Sequence, residues 1–331
     1  MADPLITVLC GGPSQEREVS LVSGRCISEA LQENFTVSML VVDGHVLPKA
    51  LAKPEETVVF PALHGTFGED GELQGLLEAV GYAYAGSGPS ASALCMDKSD
   101  TKAIAAESGF SQASEVTFLA DSAPSATELL QSLGEKVVIK PVDQGSSVGL
   151  HVVTGEPELT HALSTLEPGH WMAETFVQGR EMSVGVLDGE AMGIVEIVPT
   201  GGVYDQEHKY TPGMTEYRVP AEMPEADALR CGQYAEAVFS AAGCRDFARV
   251  DFILSAAGEP VFLEINTLPG LTPQSLLPKS ASCRGLDFLL QTPEPPRYRV
   301  CRSMRRCPRQ SQNGQTLRRR NRSRRGCHRC R

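Results

Sequence analysis

The chain has 331 residues, 41% of them hydrophobic and 21% charged, which suits an ordinary globular protein with two or three subdomains. No apolar run reaches the ~18 residues that a membrane span needs, and the N-terminus lacks the basic flank and apolar core of a signal peptide. A cytoplasmic protein with no membrane partner is expected. The net charge of -11 conceals a split. All 41 acidic residues precede position 297, whereas residues 297–331 hold 14 of the 30 basic ones, every one an arginine. An acidic body argues against nucleic-acid binding by the main domains, because phosphate contacts need clustered cations.

Residues 5–10 read as a short buried strand, stopped by a turn at Gly11-Gly12-Pro13-Ser14. The helix after it carries Val19, Val22, Cys26 and Ala30 at spacings of three and four, its expected buried stripe. Residues 57–63 form a second strand run that ends at His64-Gly65, and beyond it a helix is expected to bury Leu73, Leu76, Leu77 and Val80. Alternating strand and helix points to a parallel sheet with function at its strands' C-terminal ends. The Gly/Ser/Pro cluster at 85–89 marks a boundary.

The middle segment holds a helix ending near Gly109, a strand at 136–140, a Gly/Ser loop at 143–149 and a return strand near 150–153. The third begins with strands at 181–187 and 191–198 around an Asp188-Gly189 turn. Residues 201–220 then show no convincing periodicity, which suits a functional lid or a disordered loop. A helix with Ala228, Gly232, Ala235, Phe239 and Ala242 on one stripe stops at Gly243. Strands at 249–254 and 260–265 flank a turn at Gly258. The expected domains are 1–93, 94–180, 181–296 and a separate tail, 297–331. Cys10, Cys26, Cys95, Cys231 and Cys244 lie among apolar neighbours and read as buried, reduced thiols.

Two constellations carry chemistry. Arg249 and Asp251 are two apart on a strand and share a face, as do Glu264 and Asn266. If the strands pair across the Gly258 turn, Asp251, Glu264 and Asn266 converge beside an arginine, a hard-oxygen set suited to Mg²⁺. The plainer reading is the polar face of an exposed hairpin. The second constellation is Lys140, at the end of an apolar strand, followed by a loop rich in backbone donors through Gly149. Such a loop can wrap phosphates, with Lys140 as a point charge; alone, it equally suits a hairpin turn.

Taken in order, Gly11–Gly24, His64-Gly65, Met96-Asp97-Lys98, Lys140–Gly149, Glu174, Glu181, His208-Lys209-Tyr210, Arg249–Asp251, Glu264–Gly270 and Ser275-Leu276 resemble the D-alanine–D-alanine ligase family of the ATP-grasp superfamily. The likeness covers about residues 5–288. It implies a mixed α/β, α+β fold of three subdomains with ATP gripped between the second and third. It also implies ligation of two D-alanines through an acyl phosphate, for peptidoglycan precursors, by a homodimer. Lys98, Lys140, Ser147 and Lys209 would serve the nucleotide, with Glu174 at the adenine amino group and Glu181 at the ribose. Asp251, Glu264 and Asn266 would hold two Mg²⁺ ions, for which Mn²⁺ can substitute. Glu16 would bind the first substrate's ammonium and His64 would lie near its carboxylate. Ser275 and the Leu276 amide would take the second substrate's carboxylate. Arg249 and the Gly270 amide would stabilise the oxyanion of the tetrahedral intermediate. Glu16, Ser146 and Tyr210 would tie a lid to the site.

The resemblance stops near Leu289. Residues 297–331, rich in Arg, Cys, Ser, Gln and Pro, are expected to be disordered and suggest a reading-frame change. A nucleic-acid-binding arm, or a zinc site using Cys327, His328 and Cys330, are the other readings of the tail. For the whole chain, the alternatives are a catalytically impaired nucleotide-binding protein, or a related ligase with D-lactate or D-serine as acceptor.

Overall fold

The computed structural model describes residues 5–145, 148–200, 211 and 213–286. Its first layer is a parallel sheet in the order β2-β1-β3-β4. Strand β1 (Leu5–Gly11) is almost wholly buried because it lies between β2 (Val37–Val42) and β3 (Thr57–Pro61); β4 (Ala83–Tyr84) extends the far edge. Strand β2 stands at the open edge, and Met39 and Val41 are exposed there.

Helix α1 (Arg17–Gln32) turns a different face inward from the one its apolar spacing predicts. It buries Ser20, Ser23, Gly24, Ile27, Ser28 and Ala30, while Val22 is exposed and Val19 and Cys26 are half-buried. The buried serines are satisfied. Ser20 donates to the Ala62 carbonyl at 2.5 Å and accepts from the Gly11 amide at 2.8 Å. Gly24 lets the helix approach the sheet, since a Cβ there would lie 2.5 Å from Cys10 Cβ. Close approach therefore overrides hydrophobic spacing. Helix α2 (Glu72–Val80) buries Leu73 and Leu77 as expected, but Gln74 joins them and Val80 is exposed.

Helices α3 (Pro89–Met96) and α4 (Lys98–Glu107) follow, with Asp97 capping α4 by accepting from the Ser99 and Asp100 amides. A second sheet, antiparallel and ordered β5-β8-β6-β7, comprises β5 (Glu115–Leu119), β6 (Lys136–Pro141), β7 (His151–Thr154) and β8 (His170–Thr175). Helices α5 (Ala126–Leu133) and α6 (Gly155–Ser164) cover it, burying Leu129, Leu133 and Leu159 in its core.

The third sheet runs β11-β10-β9-β12-β13, antiparallel throughout. Strands β9 (Gly179–Leu187) and β10 (Glu190–Pro199) join at Asp188 and Gly189, whose φ values of 51° and 82° suit a tight hairpin turn. Strands β12 (Phe247–Ser255) and β13 (Pro260–Asn266) do pair across the Gly258 turn. In the stretch expected to lack structure, β11 (Thr215–Arg218) pairs with β10. Its four residues alternate in exposure and carry charge, as a short edge strand does, so no apolar run announces it.

Helix α7 (Glu225–Ala241) buries Cys231, Gly232, Ala235, Val238 and Phe239, close to the predicted stripe. With α4 it covers one face of this sheet, where Phe110 packs on Phe252 and Phe262 at 5.7 and 5.6 Å between ring centroids. Rings buried this way contribute ~1.5–3 kcal/mol each. On the other face, α8 (Leu276–Ser282) packs against β9 and β10, and Phe60 of the first sheet stacks on Phe247. Among the described residues no helix is long and apolar enough to cross a membrane. The tail 297–331, with Phe288 and Leu289 before it, lies outside the described residues.

Candidate active site

A cleft of about 400 Å³ opens between the second and third sheets. Its walls are apolar, with Val138, Val152, Phe176, Ile197 and Leu263 among them, and its charged lining includes Lys98, Lys140, Glu174, Glu181, Asp251 and Glu264. An apolar slot with charged groups in its lining suits a planar ring carrying phosphates.

Glu174 is 4% exposed and ion-paired with both Lys140 and Lys102. Burial alone would raise its pKa, but the two ammonium groups outweigh that and hold the carboxyl below its ordinary range. Lys102 was not among the predicted site residues. Glu174 lies directly opposite Glu115 on β5, a repulsive pairing of like charges, and the Lys102 ammonium bridges the two carboxylates. Its place four residues after Lys98, hence on the same side of α4, is the signal that could have found it. The Lys98 ammonium donates to the Gln144 carbonyl at 2.5 Å and stands 4.0 Å from Glu264. Ser146, Ser147, Lys209 and Tyr210 lie outside the described residues.

Strand register brings the acidic set together. Asp251 lies opposite Glu264, and Arg249 opposite Asn266. Arg249 Nη2 donates to Asp251 Oδ2 at 2.8 Å, and Ser183, also absent from the prediction, donates to Oδ1 at 2.7 Å. Asn266 Nδ2 is 3.4 Å from Asp251 and 3.2 Å from Glu264. Among the described residues no three His, Cys, Asp or Glu side chains gather as a metal cluster; this donor set is two carboxylates and an amide. It nevertheless fits a hard cation. Its ends converge, all three groups carry hard oxygens, and rotating the amide withdraws its donors from Asp251 and Glu264 and presents oxygen to the same point.

A second cleft, about 340 Å³, lies on the other side of Glu264. Glu16, His64, Glu69, Arg249, Gly270, Ser275 and Leu276 line it. So do Val19 and Val22, the apolar residues that α1 does not turn into the core. Glu16, expected to bind an ammonium, is 9% exposed. His64 is buried, with Nε2 2.8 Å from the Ser23 hydroxyl and Nδ1 3.4 Å from Glu69. Burial pulls the imidazole pKa down, but Glu69 and Glu16 hold it above the ordinary value; burial in turn raises Glu69. Neither Ser23 nor Glu69 was predicted. Ser275 occupies the N-cap position of α8, yet its hydroxyl accepts from the Thr272 amide at 3.1 Å and does not cap the helix. A small third cleft, lined by Glu264, Asn266, Lys98 and Gly145, adjoins both larger ones. Gly145, beside the two undescribed serines, reaches the Glu16 and Glu69 carboxylates: a Cβ on it would lie 3.6 Å from each.

Residues 105–290 match the family model for the D-Ala–D-Ala ligase C-terminus, and residues 47–87 match that for the N-terminus. This chain belongs to the D-alanine–D-alanine ligase family. The D-alanine–D-alanine ligase of Anaeromyxobacter dehalogenans is 45% identical over 286 residues, 86% of this chain and 92% of the relative. That of Aquifex aeolicus is 42% identical over 288 residues, covering 86% and 96%. Among solved structures, the Bacillus anthracis ligase complexed with ATP aligns with a TM-score of 0.73 at 29% identity, covering 86% and 92%. The VanG D-Ala:D-Ser ligase of Enterococcus faecalis aligns with a TM-score of 0.74 at 29% identity, covering 86% and 96%. The three-sheet architecture is thus the ATP-grasp fold that the sequence implies.

Proposed function

We propose that the chain is a cytoplasmic, homodimeric ATP-dependent ligase that joins two D-alanines into D-alanyl-D-alanine for peptidoglycan precursors. One observation carries this reading. Glu264 lines the cleft between the second and third sheets, the cleft that also holds Glu16 and Ser275, and the small cleft between them, so a phosphate end and a substrate carboxylate can meet there.

In this reading the γ-phosphoryl group passes to the carboxylate of the first D-alanine, giving ADP and an acyl phosphate. The amino group of the second D-alanine attacks the acyl carbon, and phosphate leaves. Lys98 and Lys140 bind phosphate oxygens, with the loop carrying Ser147 closing over them and Lys209 joining from the lid. Glu181 takes the ribose. Glu174, fixed between two lysines, holds the adenine amino group with the lone pairs they leave. Asp251, Glu264 and Asn266 would hold two Mg²⁺ or Mn²⁺ ions, which supply charge neutralisation at the phosphates. Glu16, aided by Glu69, receives the first ammonium, and His64 lies near that substrate's carboxylate. Ser275 and the Leu276 amide take the second carboxylate. Arg249 and the Gly270 amide face the developing oxyanion, whose stabilisation is commonly a large part of acyl-transfer catalysis. Tyr210 and Ser146, linked to Glu16, close the lid and keep water from the acyl phosphate.

The test is ADP release from the full chain with ATP, Mg²⁺ and D-alanine, with products identified by mass. The resemblance in fold to a D-Ala:D-Ser ligase makes D-serine the first competing acceptor to assay, then D-lactate. ADP release and dipeptide with D-alanine alone support the proposal. A mixed product preferred over D-alanyl-D-alanine would reassign the acceptor, and ATP binding without D-alanine-dependent turnover would make the chain an impaired nucleotide-binding protein.

A further inference from the structure

The ligase chemistry uses no thiol, yet two cysteines 149 positions apart meet beside the site. Cys95, in the last turn of α3, has its Sγ 3.7 Å from that of Cys244, in the turn between α7 and β12. A disulfide holds its sulfurs ~2.05 Å apart, so the two need to approach by less than ~2 Å. The turn that carries Cys244 is tied to the loop before α3. Arg245 Nε donates to the Gly86 carbonyl at 2.5 Å, and the Gly86 amide donates to Asp246 at 2.8 Å.

The two thiols differ in access. Cys244 is half-buried, whereas Cys95 is 6% exposed, within the core that holds Phe110 and Phe252. Cys244 is thus the more accessible residue of the pair, which suits the division between an attacking and a resolving cysteine. The hydrogen bond from Cys95 holds the Cys244 thiol below its ordinary range, against its burial. Cys231, by contrast, is fully buried, and burial pushes it up to about 11.

We propose that Cys95 and Cys244 are a redox modification site that closes to a reversible disulfide, locking α3 to the turn between α7 and β12. A low-molecular-weight disulfide such as oxidised glutathione supplies the oxidising equivalents. The Cys244 thiolate attacks one of its sulfurs, its S–S bond breaks, and one glutathione leaves as thiolate and takes up a proton. Cys95 loses its proton to water and attacks Cys244 Sγ, and the second glutathione leaves. The protein gives up two electrons and two protons, and the oxidant becomes two thiols. Cys95 directly precedes Met96-Asp97-Lys98, so closure also pulls on the start of α4 that carries Lys98 into the cleft.

The test equilibrates the full chain in graded glutathione buffers, alkylates free thiols and maps peptides by mass. The expected product is a Cys95–Cys244 cross-link that dithiothreitol reverses, with a melting temperature several degrees above that of the reduced chain. Cys95→Ser should stop at a stable glutathione adduct on Cys244, and Cys231→Ser should cross-link as wild type. A persistent glutathione adduct on Cys244 in the wild type would overturn the proposal. So would a cross-link between other cysteines, or two free thiols at 95 and 244 in excess oxidised glutathione. These readouts require no ligase turnover, so they stand apart from the proposed activity.

Discussion

Asp251 and Glu264 face each other across adjacent antiparallel strands, with Asn266 Nδ2 3.4 Å from the one and 3.2 Å from the other. The Gly258 turn opposes Phe252 to Phe262, and an irregularity at Leu263 then shifts the register by one residue, so that Asp251 meets Glu264 and Arg249 meets Asn266. Glu264→Gln and Asn266→Ala should each lower D-alanine-dependent phosphate release at least ~100-fold. Circular dichroism should show the fold retained. Near-native turnover in either variant at saturating Mg²⁺ would remove that residue from the proposed metal site.

The buried Glu174 makes stability depend on acid in a defined direction. Its pKa is lower folded than unfolded, so its contribution is fully present above the unfolded value of ~4.3 and is lost as pH falls through the folded value. Glu174→Gln leaves Lys102 and Lys140 without this counter-charge and should cost about 3 kcal/mol at neutral pH. Urea unfolding of both chains between pH 7 and ~3 should show the gap narrowing as acid neutralises the wild-type carboxylate. A constant gap would mean that Glu174 is not charged in the folded chain.

Gly24→Ala tests the close approach of α1 to β1. A methyl there meets Cys10 Cβ at 2.5 Å. Overpacking costs ~1–3 kcal/mol, while better helix propensity returns ~1 kcal/mol. A net loss of about 1 kcal/mol is expected, and Cys10→Ala, which removes only the sulfur, should not fully relieve it because Cys10 Cβ remains. Cys10→Gly in the Gly24→Ala background should relieve more. Denaturant midpoints of the wild type, the three single variants and the two double variants would measure this coupling, and additive effects would show that the two positions do not press on each other.

Gly270→Ala probes the second cleft. The added Cβ would come 2.8 Å from Ser275 Oγ, so the hydroxyl must move. Under the ligase reading, the KM for the second D-alanine should rise about 10-fold, ~1.4 kcal/mol, with ATP binding little changed. Steady-state kinetics at fixed ATP would show it, and an unaltered KM would place Ser275 away from the acceptor.

What the sequence by itself determined was local. Apolar strand runs, turn residues at Gly258 and at Asp188-Gly189, and ordered motifs located β9, β10, β12 and β13 to within a few residues, together with the family. Asp251, Glu264 and Asn266 were legible because strand geometry converts spacing directly into a shared face. Only the tertiary structure decided which face α1 buries, because a serine with a partner at 2.5 Å and a glycine against Cys10 outweigh a valine stripe that instead lines a cleft. It likewise decided that Lys102 stands between Glu115 and Glu174, and that Cys95 meets Cys244. Those contacts join residues up to 149 positions apart, and burial and charge balance between packed elements leave no periodic trace along a chain.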